Sequence, residues 1–378
     1  MTTCLRVDEA DALHARARAF VKAFEQSAAE PESFDALALD LARFQASRSL
    51  GYARLCASRD VDLRHATRVS QAPAVPTDAF KVTRVATFPA SDERVVFRTS
   101  GTTVGARGSH AMRTTTTYDA GALAFGRWAL VSDLKTRPAV LVLGPSPREA
   151  PDSSLTHMID LFARDLGAPA TSKETYFIED GTLDLVALDE RVSRLVLQEV
   201  PVLLLTTSFA LVHLLDALGG MTFKLPKTSR VMQTGGFKGK SREVDSAELE
   251  AAVIEALGLE ATHVVSEYGM TELSSQFYEA TLHGGTRGVH KEPPWARVIA
   301  VNPETLDPVP DGEIGIARIV DLLNVESAFA VQTADRVRRV DGGFELLGRA
   351  AGAAPRGCSI GIDELLGDPG ARRFTAGE

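Results

Sequence analysis

Cysteine is scarce in this chain, and long apolar runs are missing from it. The three cysteines, Cys4, Cys56 and Cys358, are an odd and sparse set among 378 residues, which excludes a disulfide scaffold and indicates a reducing compartment. The longest apolar stretches, Ala139–Leu143 and Val202–Leu205, are far below the roughly 20 residues that span a bilayer. The N-terminus lacks the apolar core of a secretory signal. We therefore expect a cytoplasmic protein with no membrane span.

Positive charge is also in short supply. Lys and Arg total 41 against 50 for Asp and Glu, so the formal net charge is -9, and no broad positive field exists to attract a phosphate backbone. Nucleic acid is therefore not an expected partner. Hydrophobic residues make up 44% of the chain, which is typical of a soluble globular protein with a substantial core.

Helical and strand patterns alternate along most of the chain. Alanine-rich sequence with apolar residues at helical spacing predicts two or three packed helices between Asp8 and about Leu55. Further helices are expected at Asp119–Leu130 and Ser246–Leu257. Short apolar strands are expected at Val95–Phe97, Ala139–Leu143, Val202–Leu205, Arg230–Met232, His263–Val265 and Val298–Val301. This alternation is typical of an α/β fold whose largely parallel sheet has helices on both faces.

The pattern changes near the C-terminus. Strands predicted at Glu313–Val320, Arg336–Val340 and Phe344–Leu347, with a turn between the last two, indicate a small antiparallel β-rich unit. We therefore predict three parts, which are an N-terminal helical segment over residues 1–75, an α/β core over 76–330, and a small β-rich unit with a short C-terminal segment bearing Cys358 over 331–378.

A Gly- and Thr-rich segment, Thr99–Gly108, follows the strand predicted at Val95–Phe97. Its glycines let backbone N–H groups converge, its hydroxyls add donors, and Arg107 adds positive charge, a combination suited to phosphate. The segment has no Gly-Lys-Ser/Thr end, so it is not a Walker A loop. A polar surface turn is the alternative interpretation. The candidate phosphate ligands here are Thr99, Ser100, Gly101, Thr102, Thr103 and Arg107.

A second motif, Ser266–Glu272, follows the strand predicted at His263–Val265. Tyr268 offers a ring for stacking, Gly269 allows a close backbone approach, Thr271 has a hydroxyl, and Glu272 is a cation ligand. The alternative is a tyrosine at the edge of the core beside a solvated glutamate.

Two weaker motifs complete the set. Gly235 and Gly236 follow another short strand and allow a flat ligand to lie against bare backbone, although a simple strand-to-helix turn has the same composition. Asp335 and Arg349 are a carboxylate and a guanidinium in the strand-rich segment, where charges beside turns are usually solvated.

Cys358 is the leading candidate nucleophile. The nearby Arg356 favours the thiolate, and a buried inert thiol is the alternative. Gly357–Gly361 formally matches the serine-hydrolase elbow, but all eight histidines precede it in the chain, so that interpretation is excluded. The histidine spacing also gives no support for a zinc site.

Taken in order, these motifs resemble those of the adenylate-forming superfamily, which includes acyl-CoA synthetases and luciferases. The resemblance implies that Thr99–Gly108 is the phosphate loop and that Gly235 and Gly236 are the adenine-side glycines. It also implies that Asp335 binds the ribose hydroxyls and that Arg349 contacts the nucleotide. ATP and Mg²⁺ are the implied cofactors, with Glu272 as the magnesium ligand.

A narrower resemblance is to the LuxE-type acyl-protein synthetases. The stretches that carry it span about residues 75 to 360 and are Val75–Lys81, Phe97–Gly108, Ser153–Leu155, Gln233–Gly239, Ser266–Gln276 and Arg356–Ser359. It implies the large domain of an adenylate-forming enzyme with a truncated C-terminal domain. The implied activity is ATP-dependent activation of a carboxylic acid, expected to be a long-chain fatty acid. Cys358 would accept the acyl group as a thioester and deliver it to a reductase partner.

The sequence departs from the superfamily pattern at several points. Val104 stands where the phosphate loop usually has glycine, Arg107 replaces a lysine, and Ala351 replaces a hinge aspartate. The usual C-terminal catalytic lysine has no counterpart in the chain. Two alternative functions therefore remain, namely a ligase that charges coenzyme A or a carrier thiol, and a nucleotide-binding subunit that has lost catalysis.

Overall fold

Helices and short strands alternate in the computed structural model, which describes residues 2–99, 107–235 and 246–350. The helices are α1 Thr2–Glu25, α2 Phe34–Arg48, α3 Leu50–Ser58, α4 Ala79–Val82, α5 Thr116–Val131, α6 Ser154–Asp165, α7 Ser172–Thr175, α8 Leu185–Leu197, α9 Ser208–Leu218 and α10 Ser246–Leu257. The strands are β1 Val75–Pro76, β2 Val95–Arg98, β3 Ser109–Met112, β4 Ala139–Leu143, β5 Ile178–Glu179, β6 Thr182–Leu183, β7 Val202–Thr207, β8 Arg230–Thr234, β9 Val264–Tyr268, β10 Phe277–Glu279, β11 Val289–Lys291, β12 Ala296–Val301, β13 Ile314–Asp321, β14 Ala330–Val340 and β15 Gly343–Arg349.

The chain divides into two units. The first unit consists of Met1–Gly121, Met270–Ser275 and Glu292–Glu378, and the second consists of Ala122–Gly269 and Gln276–Lys291. The three predicted parts, 1–75, 76–330 and 331–378, follow the order of the sequence, whereas these units are each assembled from separate segments.

Three helices open the first unit, as the alanine-rich N-terminal sequence predicts. Ser33 and Ser49 begin α2 and α3, because each serine side chain accepts a hydrogen bond from a backbone N–H of the first turn. The apolar faces of these helices are buried, with Phe20 and Phe34 at most 1% exposed. Burial of this apolar stripe stabilises helices that would be marginal in isolation.

The main sheet of the first unit is antiparallel in the order β12-β13-β14-β15, with the short β1 added parallel to β14. The predicted strand Val298–Val301 is part of β12 and pairs antiparallel with β13. Its assignment to the parallel sheet was therefore wrong. The connection from Val301 to Ile314 has room for a hairpin but carries no crossover helix, which parallel pairing requires.

The predicted strand Val95–Phe97 also lies outside the parallel sheet. It is part of β2, which pairs with β3 in a separate two-stranded antiparallel sheet whose register joins Val95 to Met112 and Arg98 to Ser109. The ten residues between these strands are too few for a helical crossover, so the Gly- and Thr-rich segment connects a hairpin.

Four parallel strands form the centre of the second unit, in the order β9-β8-β7-β4, and the antiparallel β10 and β11 extend the sheet beyond β9. One sheet face is covered by α8, α9 and α10, whose Leu188, Leu211 and Val253 pack into a core with strand residues such as Leu204. On the other face, Tyr278 of β10 contacts Phe125 of α5. Helices on both faces explain why these strands are almost entirely apolar.

Polar residues appear at the carboxyl ends of the parallel strands. Thr207 and Thr234 end β7 and β8, Glu267 is the next-to-last residue of β9, and the register pairs Thr207 with Thr234 and Thr234 with Glu267. Ligands bind at this edge in open α/β sheets, so the fold brings two of the predicted motifs to one edge of the second unit. Among the described residues, no helix has the length and apolar character needed to cross a membrane.

Candidate active site

The ends of the predicted phosphate loop lie at the base of a closed hairpin in the first unit. The backbone N–H of Thr99 donates to the carbonyl of Gly108 at 2.9 Å, and the N–H of Gly108 donates to Oγ1 of Thr99, also at 2.9 Å. A Cβ on Gly108 would stand only 3.0 Å from Cγ2 of Thr99. Ser100, Gly101, Thr102 and Thr103 lie outside the described residues.

Arg107 lies at the same hairpin base. Its Nε donates to the carbonyl of Thr99 at 2.7 Å, and Nη2 donates to the carbonyl of Arg98 at 3.3 Å. These bonds hold the guanidinium plane against the end of β2. A guanidinium has five N–H donors in a planar fork that suits phosphate oxygens, so binding of phosphate by Arg107 stays a prediction.

His110, two residues beyond the loop, links the hairpin to the second motif. Its Nδ1 lies 2.7 Å from the carbonyl oxygen of Thr271, and the side chain is buried. Burial lowers the pKa of His110 to about 4, so the ring is neutral near pH 7 and donates its Nδ1–H to Thr271. His110 belongs to none of the motifs predicted from the sequence. The one signal in the sequence is its position in a short strand, β3, and that position indicates only that the side chain faces inward.

A network of buried polar side chains holds the backbone around Glu272. Nδ2 of Asn324 donates to the carbonyl of Glu272 at 2.8 Å, while Oδ1 of Asn324 accepts from the hydroxyl of Ser274 at 2.5 Å. Asp321 accepts from the backbone N–H of Ser274 and from the hydroxyl of Ser275. The side chain of Glu272 is itself buried. The backbone position of Glu272 is therefore fixed by Asn324 and Asp321, which lie outside the motif Ser266–Glu272.

Glu272 is the candidate magnesium ligand. Mg²⁺ is usually bound by one or two carboxylates together with substrate phosphates and water, so one buried carboxylate on a backbone held by Asn324 fits a site of that kind. Within the described ranges, no group of three or more His, Cys, Asp or Glu side chains is arranged to hold a metal ion.

Asp335 and Arg349 form an ion pair across β14 and β15. They are register partners, and Nε of Arg349 lies 3.1 Å from Oδ1 of Asp335. The Asp335 side chain is buried, while the Arg349 side chain is 55% exposed. The sequence shows only that Asp335 and Arg349 belong to the same strand-rich segment, and the structure brings their side chains into contact.

In the second unit, Gly235 begins the loop after β8. Its φ of +74° lies in the left-handed region, which favours glycine. A Cβ built there would meet no described atom within 4 Å, so bare backbone is open to a flat ligand such as adenine. The carbonyl of Gly235 accepts from the hydroxyl of Ser208 at 2.6 Å. Gly236 lies outside the described residues.

Tyr268 ends β9 and is buried at 7% exposure. Its ring packs against Phe277 at 5.9 Å and, edge to face, against His290 at 6.3 Å. This packing fits a tyrosine at the edge of the core, and stacking of its ring on adenine stays a prediction. Gly269 follows directly and completes the second-unit part of the motif.

The predicted nucleophile, Cys358, lies outside the described residues, as does the hydrolase-like stretch Gly357–Gly361. Cys56 is buried in α3, and burial raises the pKa of its thiol to about 11, so it is protonated and inert at neutral pH.

The sequence of the chain matches the acyl-protein synthetase family, LuxE, over residues 7–367. A long-chain-fatty-acid–luciferin-component ligase of Aliivibrio fischeri is 22% identical over 354 residues, which is 89% of each chain. The corresponding ligase of Vibrio harveyi is 26% identical over 156 residues, covering 39% of this chain and 40% of that protein.

The fold is similar to that of adenylate-forming ligases. A 2-hydroxyisobutyryl-CoA ligase, solved in its postadenylation state with 2-HIB-AMP, has a TM-score of 0.58 at 14% identity, covering 83% of this chain and 67% of that one. ATP-bound MatB from Rhodopseudomonas palustris has a TM-score of 0.46 at 17% identity, and this chain spans 49% of its length. The likeness to the 2-hydroxyisobutyryl-CoA ligase confirms the expected fold class, an α/β fold of the adenylate-forming type.

Proposed function

Because the chain belongs to the acyl-protein synthetase family, LuxE, we propose that it activates a long-chain fatty acid with ATP and carries the acyl group on Cys358. Membership of the family makes the chain an AMP-forming ligase that joins a carboxylic acid to a thiol. The identity of the acid, the use of the enzyme's own cysteine, delivery to a reductase and a cytoplasmic location belong to the proposal.

One contact carries the proposal, the hydrogen bond from His110 to the carbonyl of Thr271. It fixes the strand that leaves the phosphate loop against the residue that precedes Glu272. Both groups belong to the first unit. This contact supports the proposal that donors for phosphate and a carboxylate for a cation work together, which is the pairing that phosphoryl chemistry requires.

In the first step, a carboxylate oxygen of the acid attacks the α-phosphorus of ATP. The new P–O bond forms as the bond to pyrophosphate breaks, giving acyl-adenylate. Glu272 would hold Mg²⁺, which neutralises charge on the phosphate oxygens when bound. The groups proposed to stabilise the remaining charge are Thr99, Ser100, Gly101, Thr102, Thr103 and Arg107.

In the second step, the thiolate of Cys358 attacks the acyl carbonyl carbon. The C–S bond forms, the C–O bond to AMP breaks, and AMP leaves with the electron pair. The resulting thioester is proposed to pass to a reductase. The residues proposed to bind the nucleotide through both steps are Gly235, Gly236, Tyr268, Gly269, Thr271, Asp335 and Arg349.

Intact-protein mass spectrometry tests the proposal. Wild type and Cys358→Ala are incubated with ATP, Mg²⁺ and a long-chain fatty acid, with and without coenzyme A. Wild type should gain an acyl mass that hydroxylamine removes, and Cys358→Ala should gain none while still exchanging pyrophosphate into ATP.

Two other outcomes would replace the proposal. Formation of acyl-CoA without a protein-bound acyl group would identify a ligase for a free thiol. Nucleotide binding without acid-dependent pyrophosphate exchange would identify a subunit that has lost catalysis.

A further inference from the structure

A buried carboxyl group joins the ends of two parallel strands in the second unit. The register pairs Thr234, the last residue of β8, with Glu267 of β9, and the Thr234 hydroxyl donates to Oε2 of Glu267 in a short hydrogen bond. Thr234 and Glu267 are 8% and 5% exposed. The next residues along the chain are Gly235 and Tyr268, so this bond connects the starting points of two candidate nucleotide loops.

The second oxygen of this carboxyl lies against the backbone of Gly269. A Cβ on Gly269 would stand 2.6 Å from Oε1 of Glu267 and 3.8 Å from Cγ of Gln276. A gap of 2.6 Å is far inside van der Waals contact, so only glycine fits beside Glu267 unless the carboxyl moves. The Glu267 carboxyl therefore contacts residues next to both candidate nucleotide loops. It accepts a hydrogen bond from Thr234, which precedes Gly235, and it packs against the backbone of Gly269.

Gly235 is held from its other side as well, because its carbonyl accepts from the Ser208 hydroxyl at 2.6 Å. Two hydrogen bonds thus hold the left-handed backbone at Gly235. One is made by the side chain of the preceding residue, Thr234, and the other by the carbonyl of Gly235 itself. A Gly235 backbone fixed in this way does not have to be ordered when a ligand binds, which lowers the entropic cost of binding.

Burial raises the pKa of Glu267 to about 7, and the hydrogen bond from Thr234 offsets part of that rise. A carboxyl that holds its proton is far less costly to bury than a carboxylate. The chemistry of the first step needs no proton from this group, so a role in holding the loops accounts for it better than acid–base catalysis does.

We propose that Glu267, held by Thr234, is a positioning residue for acid activation, because it fixes the backbone of Gly235 and Gly269 in the form that receives the nucleotide. This inference rests on the proposed function. It assigns Glu267 no contact with the reacting atoms, and it predicts a defect in nucleotide binding larger than any defect in the chemical step.

The test compares small changes on the two sides of the hydrogen bond by steady-state pyrophosphate exchange. Thr234→Val keeps the shape of the side chain but removes the donor, and it should raise KM for ATP about tenfold while kcat and KM for the acid stay within about threefold. Thr234→Ser restores the hydroxyl and should return KM for ATP to within about twofold of wild type.

Changes at Glu267 separate its hydrogen bond from its charge. Glu267→Gln keeps a neutral side chain with an acceptor oxygen and should resemble wild type. Glu267→Leu should resemble Thr234→Val, and the double variant should be no worse than either single variant, because both remove the same bond. Thr206→Val, a fully buried threonine on the neighbouring strand β7, is the matched control and should leave every constant within about twofold.

Isothermal titration calorimetry with ATP alone supplies a second readout, and thermal unfolding checks that each variant is folded. An unchanged ATP affinity in Thr234→Val overturns the inference, and so does a loss of ATP affinity in Thr206→Val equal to that in Thr234→Val. Both comparisons remain possible if Glu267→Leu fails to fold. A wild-type protein without acid-dependent exchange refutes the proposed function instead, so the two failures are distinguishable.

Discussion

His110 and Thr271 are 161 positions apart in the chain and meet in a hydrogen bond of 2.7 Å. The bond joins a buried strand of the hairpin to the loop that contains Glu272. Neither motif requires a histidine at position 110, yet the neutral ring is the group that holds them in register. Five predictions follow from this and related contacts.

Replacing His110 with phenylalanine keeps a ring in the buried site but removes the donor to Thr271. Loss of this buried hydrogen bond should cost about 1–3 kcal/mol of unfolding free energy, and loosening of the Glu272 loop should lower kcat/KM for ATP at least tenfold. Urea unfolding and pyrophosphate exchange measure the two effects. His65→Phe is the control, because its side chain is 84% exposed, and an equal loss in that variant would contradict the prediction.

Glu272→Gln preserves the size of the side chain and removes its charge. We expect pyrophosphate exchange to fall at least about 100-fold, because the proposed Mg²⁺ ligand becomes a much weaker donor, with little change in thermal stability. The exposed Glu313→Gln should keep wild-type activity. Exchange by Glu272→Gln at the wild-type rate and with the same Mg²⁺ dependence would exclude Glu272 as the ligand.

Asp335→Asn removes the charge proposed to face the ribose hydroxyls. KM for ATP should rise about tenfold, the range of one lost hydrogen bond to a charged group. The same hairpin offers a matched ion pair, Arg338 with Glu345 at 2.6 Å, so Glu345→Gln should leave KM unchanged. If both variants raise KM equally, the effect comes from the hairpin and not from a nucleotide contact.

Asn324→Leu should destabilise the protein more than Asn302→Leu, a change at the partly buried and only other asparagine of the chain. It strips a donor from the carbonyl of Glu272 and an acceptor from the hydroxyl of Ser274, which we expect to cost about 2–4 kcal/mol. Asn302→Leu, which loses two exposed turn contacts, should cost about 1 kcal/mol or less. Chemical denaturation of both variants gives the comparison, and equal losses would contradict it.

The free energy of unfolding should fall as the pH rises, because the buried Glu267 loses its proton. Its pKa is about 7 in the folded protein against 4.5 as the usual value, so the folded state binds the extra proton between those values. The contribution is complete below about pH 4.5 and is lost as the pH rises through about 7, amounting to about 3 kcal/mol. Glu267→Gln cannot ionise.

The midpoint of thermal unfolding should therefore drop less in Glu267→Gln than in wild type between pH 5.5 and pH 8. Burial also shifts the pKa values of His110 and Asp321, to about 4 and about 6. Both residues are present in wild type and in the variant, so their effects on stability cancel when the two pH profiles are compared. Parallel pH profiles for wild type and variant would show that Glu267 does not ionise in this range.

Local sequence patterns were enough to predict the family and most of the helices and strands. Short, all-apolar strands such as Ala139–Leu143 signal burial on both faces, and α10 has the predicted bounds, Ser246–Leu257. These signals are local, since they depend on side-chain periodicity and on residues at element ends. The motifs likewise pointed to the acyl-protein synthetase family, and the match over residues 7–367 confirms it.

Tertiary structure alone decided which strands pair and which buried polar groups meet. Val95–Phe97 and Val298–Val301 have the composition of parallel strands, yet their pairing is antiparallel because it depends on the connection and the partner rather than on the strand itself. The contacts of His110 with Thr271 and of Thr234 with Glu267 join residues far apart in sequence. Periodicity marks such positions as inward-facing, but only the folded chain brings a donor to an acceptor.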